Sequence, residues 1–115
     1  MTDTEEKMTV GELVEQMNLT VFNMEDENEV IYNFCASDLF SYVMDKAKYK
    51  CCWLTIMSNV NITAVAKIAE ISAVVLCDGV KPHYTLIEKA KEQNITLLGC
   101  DLPIFQASAK ISQTL

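Results

Sequence analysis

The pattern of apolar and polar positions is clearest in the run Trp53–Gly79 (WLTIMSNVNITAVAKIAEISAVVLCDG). Cys51–Met57 is apolar and rich in strand-forming residues, and the polar Ser58-Asn59-Val60-Asn61 follows as a turn, with Asn61 as a helix N-cap. Ile62, Val65, Ala66, Ile68, Ala69 and Ile71 then recur at helical spacing, leaving Lys67 and Glu70 on the outer face. Ala73–Cys77 is continuously apolar and ends at an Asp78-Gly79 turn. Two strands joined by a helix run parallel, because a crossover needs a dozen or more residues and a hairpin only a few. A parallel sheet is covered on both faces, so the rest of the chain must supply two helical layers.

Either side of this unit, the pattern predicts the remaining elements. Residues 1–8 read as a flexible charged tail, and Thr9-Val-Gly-Glu12 as a capping box opening a helix to Asn18 through Val10, Leu13, Val14 and Met17. Leu19–Met24 reads as a strand, Glu25-Asp26-Glu27-Asn28 as a turn, and Val30–Ala36 as a second strand. Ser37 or Asp38 is expected to cap a helix reaching Ala47, with Leu39, Phe40, Val43, Met44 and Ala47 on one face. Pro82 suits the first turn of a helix striped by Leu86, Ile87 and Ala90, and Asn94 its C-terminal cap. Ile95–Leu98 is the last strand, and Asp101-Leu102-Pro103 opens a final helix that packs Ile104, Phe105, Ala107, Ala109 and Ile111. The expected fold is a three-layer α/β/α domain with a five-stranded, mostly parallel sheet.

Composition narrows the function. One hundred and fifteen residues suffice for one domain. The chain carries nine lysines, no arginine and a net charge of −7, which argues against nucleic acid and anionic membranes as partners. The longest apolar run, Ile71–Cys77, is too short to span a bilayer, and the acidic MTDTEEKM start is unlike a signal peptide, so a cytoplasmic protein is expected. Five cysteines, an odd count, predict reduced thiols rather than a disulfide framework.

Several stretches resemble the DRTGG domain family: Ser37-Asp38-Leu39-Phe40-Ser41-Tyr42-Val43-Met44, Trp53-Leu-Thr-Ile56, Asn61-Ile62 and Ala64-Val65-Ala66. The likeness continues through Ala73-Val-Val-Leu, the Gly79-to-Pro82 turn and Ile95-Thr-Leu-Leu98 before Asp101-Leu102. It covers about residues 8–112, and the expected domain is 9–112. It is strongest for the small stand-alone clostridial type and reaches distantly to the N-terminal domain of HPr kinase/phosphorylase. Tyr32-Asn33-Phe34 stands where the family's Thr-Gly-Gly falls, and its arginine has no counterpart. The resemblance implies an accessory domain that self-associates, found beside CBS domains, in phosphotransacetylases, or alone with hydrogenase and NADH-oxidising systems. It implies no reaction.

Gly11, Gly79 and Gly99 form no phosphate-cradling G-x-x-x-x-G-K-[ST] loop, so no kinase activity is expected. The sole histidine, His83, has no neighbouring nucleophile in sequence, and no enzyme activity or cofactor is expected. Cys77 and Cys100 both follow strands and are weak metal candidates, and Cys35 would sit nearby if its strand joins the same edge; small buried hydrophobe is the ordinary role of each. Open parallel sheets bind ligands at their carboxyl edge. Ser58, Asn59 and Asn61 follow the first central strand, Asp78, Gly79 and Lys81 the second, and Asp101 the third, making them candidate ligand residues as well as ordinary loop residues. The expected function is a non-catalytic, ligand-sensing regulatory domain. The alternatives are an adaptor for a redox-enzyme subunit or a cysteine-based site. A homodimer is expected through Tyr32, Phe34, Phe40 and Tyr42, half of the chain's Phe and Tyr, although Phe40 suits the monomer's core equally.

Overall fold

Residues 5–115 are described by a computed structural model. The chain begins with β1 (Met8–Thr9) and α1 (Val10–Met17). The expected capping box is present: the Thr9 hydroxyl accepts from the Glu12 amide, and the Thr9 amide donates to the Glu12 carboxylate. Met8 is buried and paired, so the tail is shorter than the sequence pattern predicts, and residues 1–4 lie outside the described residues. Asn18 ends α1 in the left-handed region, a conformation Asn tolerates better than most residues.

Next come β2 (Thr20–Asn23), β3 (Val30–Ile31) and β4 (Asn33–Ala36). The expected single strand Val30–Ala36 is therefore broken at Tyr32. Its first part pairs antiparallel with β1 in a two-stranded ribbon, and its second joins the main sheet. The remaining elements are α2 (Phe40–Lys46), β5 (Cys51–Thr55), α3 (Ile62–Ile68) and β6 (Ala73–Leu76). They are followed by α4 (Tyr84–Gln93), β7 (Leu97–Gly99) and α5 (Ile104–Thr114).

The main sheet has strand order β2-β7-β6-β5-β4, with β2 antiparallel to β7 and the other pairings parallel. This is the expected three-layer α/β/α arrangement. One core gathers Leu13 and Met17 of α1 and Ala107 and Ile111 of α5 against Cys52, Leu54, Val75 and Leu98 of the sheet. The other gathers Val43 of α2, Ile62 and Val65 of α3, and Leu86 and Ala90 of α4 against Trp53, Val74, Leu76 and Leu97. Every residue of β5, β6 and β7 is buried, as their unbroken apolar runs require. Gly99 allows β2 to pack closely, since a Cβ there would come within 2.6 Å of the Phe22 ring.

Helix faces are narrower than the spacing suggests. Of the stripe expected on α2, Val43 is buried while Leu39 and Met44 are exposed. Ile68 on α3 and Phe105 and Ala109 on α5 also face outward rather than into the core. Of the caps expected for α2 and α3, the first is displaced and the second is Asn61 as expected, but without a side-chain bond. Leu39, also without a side-chain bond, is the N-cap of α2. Pro82 precedes the N-cap of α4 instead of entering its first turn, and His83 is the cap, its Nδ1 accepting from the Thr85 amide at 3.2 Å. Asn94 closes α4 in the left-handed region, as expected.

Trp53 ties β5 to the start of α2 and the loop ahead of it. It is fully buried, Phe40 meets it edge-on at 5.8 Å, and its Nε1 donates to the Ser37 carbonyl at 2.8 Å. Trp53→Phe removes that donor and one ring. It should lower unfolding free energy by about 1–3 kcal/mol in urea titration. A loss below about 0.5 kcal/mol would show that neither contact matters to the fold.

Candidate functional site

The loops following β4, β5, β6 and β7 emerge together at the carboxyl edge of the parallel strands, and hydrogen bonds set their shape. Asp38, beyond β4, is no helix cap: its Oδ1 accepts from the Thr55 hydroxyl at 2.7 Å and from the Ile56 amide at 2.9 Å. The Thr55 hydroxyl in turn accepts from the Met57 amide at 3.1 Å, and the Ser37 amide donates to the Leu54 carbonyl at 3.1 Å. After β5, the Asn59 side chain accepts from the Asn61 amide at 2.8 Å, giving a tight turn that leaves the Asn61 side chain on the surface. After β6, Asp78 and Gly79 take φ of 61° and 67°, and their amides donate to the carbonyls of Leu102 and Cys100. The β6 and β7 loops are thereby laced together.

The structure brings the candidate residues to this one edge. Ser58, Asn59, Asn61, Asp78, Lys81 and Asp101 are exposed there, and Gly79 is half-buried beside Asp101. Apolar side chains share the same edge, a feature not expected from the sequence. Ile56, Met57 and Val60 follow β5, Tyr84 opens α4 at 68% exposed, and Phe105 lies in the first turn of α5 at 82% exposed. A signal existed: Ile56-Met57 continues an apolar run past the end of its strand, and both aromatics sit one or two residues inside a helix start. The edge is also acidic, with Asp38, Asp78 and Asp101 beside Lys81. Three concavities lie elsewhere. They are an apolar one of about 200 Å³ between β4 and α5, an acidic one of about 500 Å³ beside α1, and one of about 200 Å³ near Glu25 and Asn94.

The cysteines divide between the two faces of the sheet. Cys52, Cys77 and Cys100 are buried on the α1–α5 face. Cys51 and Cys52 point opposite ways, as adjacent strand residues must. Cys35 does not approach Cys77 and Cys100. It lies on β4, which β5 separates from β6, and packs on the opposite face. Among the described residues, no three His, Cys, Asp or Glu side chains are placed to hold a metal ion. Burial pushes the Cys51 thiol from the ordinary 9.0 to about 12, aided by the nearby Cys35, and pushes Cys77 to about 12, aided by Cys100. Burial also raises Cys35 and lifts Cys52 well above 9.0. These thiols remain protonated at neutral pH, so they are not ready nucleophiles.

No family model matches the chain, and no curated protein matches it in sequence. Its fold is similar to the crystal structure of the CBS and DRTGG domains of the regulatory region of Clostridium perfringens pyrophosphatase, complexed with its activator diadenosine tetraphosphate. The TM-score is 0.76 over 95% of this chain, at 20% sequence identity. The fold is DRTGG-like. The chain spans 48% of the length of that regulatory region, and at this identity the likeness speaks for the fold. No helix among the described residues is long and apolar enough to cross a membrane.

The expected dimer residues occupy varied environments within this DRTGG-like fold. Phe40 packs against Trp53, which favours the core role, and Phe34 packs beneath α5 with partial exposure. Tyr32 stacks at a tilt 6.2 Å from Tyr49, and Tyr42 on α2 is 48% exposed.

The raised thiols fix a pH dependence of stability. Unfolded, Cys51 and Cys77 lose their protons near pH 9.0, whereas folded they keep them to about 12. Between those values the folded state binds more protons, so stability falls as pH rises. The melting temperature should drop from pH 9 to pH 12, and less steeply for Cys77→Ala. Equal slopes for the variant and the wild type would remove Cys77 as a source of the effect.

Proposed function

We propose that this chain is a non-catalytic regulatory domain that senses a small molecule at the carboxyl edge of its sheet and self-associates through α2. The observation that carries the sensing role is the exposed mixture at that edge, where Ile56, Met57, Tyr84 and Phe105 share the carboxyl ends of the strands with Ser58, Asn59 and Asn61. Such a surface suits a ligand with one flat apolar face and a few hydrogen-bonding groups. The DRTGG-like fold supports the regulatory reading, since the similar pyrophosphatase region is regulatory and was crystallised with a dinucleotide activator. The acidic edge and the net charge of −7 weigh against a polyphosphate here and favour a neutral or cationic ligand. The raised thiols and the use of His83 as a helix cap support the absence of nucleophilic catalysis.

Thermal-shift measurements with adenosine, a panel of aromatic amines and diadenosine tetraphosphate test the site. A neutral or cationic probe should raise the melting temperature, and Asn61→Ala should cut that shift at least by half. A response confined to diadenosine tetraphosphate, or one unchanged in Asn61→Ala, contradicts the assignment. If no probe acts, the same exposed apolar edge favours the second reading, an adaptor docking on a protein such as a redox-enzyme subunit.

Self-association rests on Tyr42, which is half exposed on a seven-residue helix whose buried anchor is Val43. Light scattering at micromolar concentration should show a dimer for the wild type and a folded monomer for Tyr42→Glu. A wild-type monomer, or a variant that stays dimeric, contradicts this interface.

A further inference from the structure

We propose that the groove between α1 and β2 docks an extended basic peptide of another protein, which adds a strand to β2 and sets its cations against the groove's carboxylates. β2 is an end strand of the main sheet, and among the described residues it pairs only with β7. Its other edge offers main-chain donors and acceptors to an incoming strand. Beside it lies the concavity of about 500 Å³, walled by α1, β2 and the turn after β2. None of the candidate residues of the carboxyl edge lines it, so this surface is separate from the proposed ligand site.

The groove has an apolar floor. α1 turns Leu13 and Met17 into the core and leaves Val14 half-buried on its flank. Val21 pairs with Leu98, which belongs to the core beneath α1 and α5, yet no strand lies beyond β2 and Val21 stays 46% exposed. Half-buried Met24 completes the floor. The far wall is held in place by the Gly11 amide, which donates to the Glu27 carbonyl at 2.8 Å.

Charge selects the occupant. Exposed Glu12, Glu15 and Glu27 rim the floor, and among the described residues no lysine forms an ion pair with any of them. A second copy of this chain is a poor fit. Pairing β2 with β2 about a two-fold axis would bring two acidic rims together, and the net charge of −7 adds to the repulsion. A basic strand fits on both counts. Side chains alternate along a strand, so every second residue of the added strand stands on the groove side with Val21. Apolar residues at those positions cover Val14, Val21 and Met24, and lysine or arginine at either end of the run meets the carboxylates.

Fluorescence anisotropy tests this with the full chain and a labelled peptide, Lys-Thr-Leu-Thr-Leu-Thr-Lys, whose alternate residues present cation, leucine, leucine and cation to the groove. It should bind with a sub-millimolar Kd and slow hydrogen exchange in Thr20–Asn23. Replacing its leucines by serine, or its lysines by glutamate, should weaken binding about tenfold or more. Of two peptides N-methylated at alternate amides, one should lose binding and the other keep it, because only one set of amides faces β2. Glu15→Lys with Glu27→Lys, and separately Val21→Lys, alter exposed side chains; each should lose about tenfold in affinity with an unchanged melting temperature. Absence of binding at millimolar peptide would overturn the proposal. So would equal binding of the serine peptide, of both methylated peptides or of both variants, or a wild-type dimer that Val21→Lys dissolves.

Discussion

The structure depends on three strands that no solvent reaches. All residues of β5, β6 and β7 are buried, so their backbone groups pair laterally and their side chains need partners above and below. That requirement accounts for the two helical layers. It also accounts for the ends of the sheet, where β4 and β2 are only partly buried and shield the central strands. A buried parallel strand cannot turn back through a hairpin, so each connection crosses a face, and the loops that follow the strands collect at one edge.

That edge is where the chain is freest to vary. Asp38, Asn59 and the Asp78-Gly79 turn shape its loops by hydrogen bonds, and Val80 and Leu102 of the loops after β6 and β7 pack against the cores. Exposed Ile56, Tyr84 and Phe105 add nothing to either core. Burial has the opposite chemical effect inside. It keeps Cys51, Cys52 and Cys77 protonated, so the thiols of the sheet act as small apolar side chains at neutral pH. One physical cause therefore quiets the interior and leaves the carboxyl edge as the surface with chemistry to offer.

The central strands were legible because burial on both faces leaves an unbroken apolar run, as in Ala73–Cys77, that tolerates no other reading. The edges were harder. Val30–Ala36 looks continuous, yet the chain changes partner at Tyr32, and nothing local encodes which strand it will meet. Spacing alone placed Ile68 and Phe105 inside; the helices cover narrow sheet areas, so an error of one residue, about 100° around the axis, turns a side chain outward. Asp38 read as a cap because Asp favours that role. Its real partners, Thr55 and Ile56, lie on the next strand. The candidate ligand residues could be placed at the carboxyl edge from strand order, but the apolar company they keep could not.

Native-state hydrogen exchange tests most directly the claim that a buried parallel core carries an edge of loosely held loops. Amides of β5 and β6 should exchange slowest, through global unfolding, while those of residues 56–61 and 79–83 exchange orders of magnitude faster through local opening. Slow exchange in both loops, equal to that of β5 and β6, would contradict the account, as would β5 or β6 amides exchanging as fast as the loops.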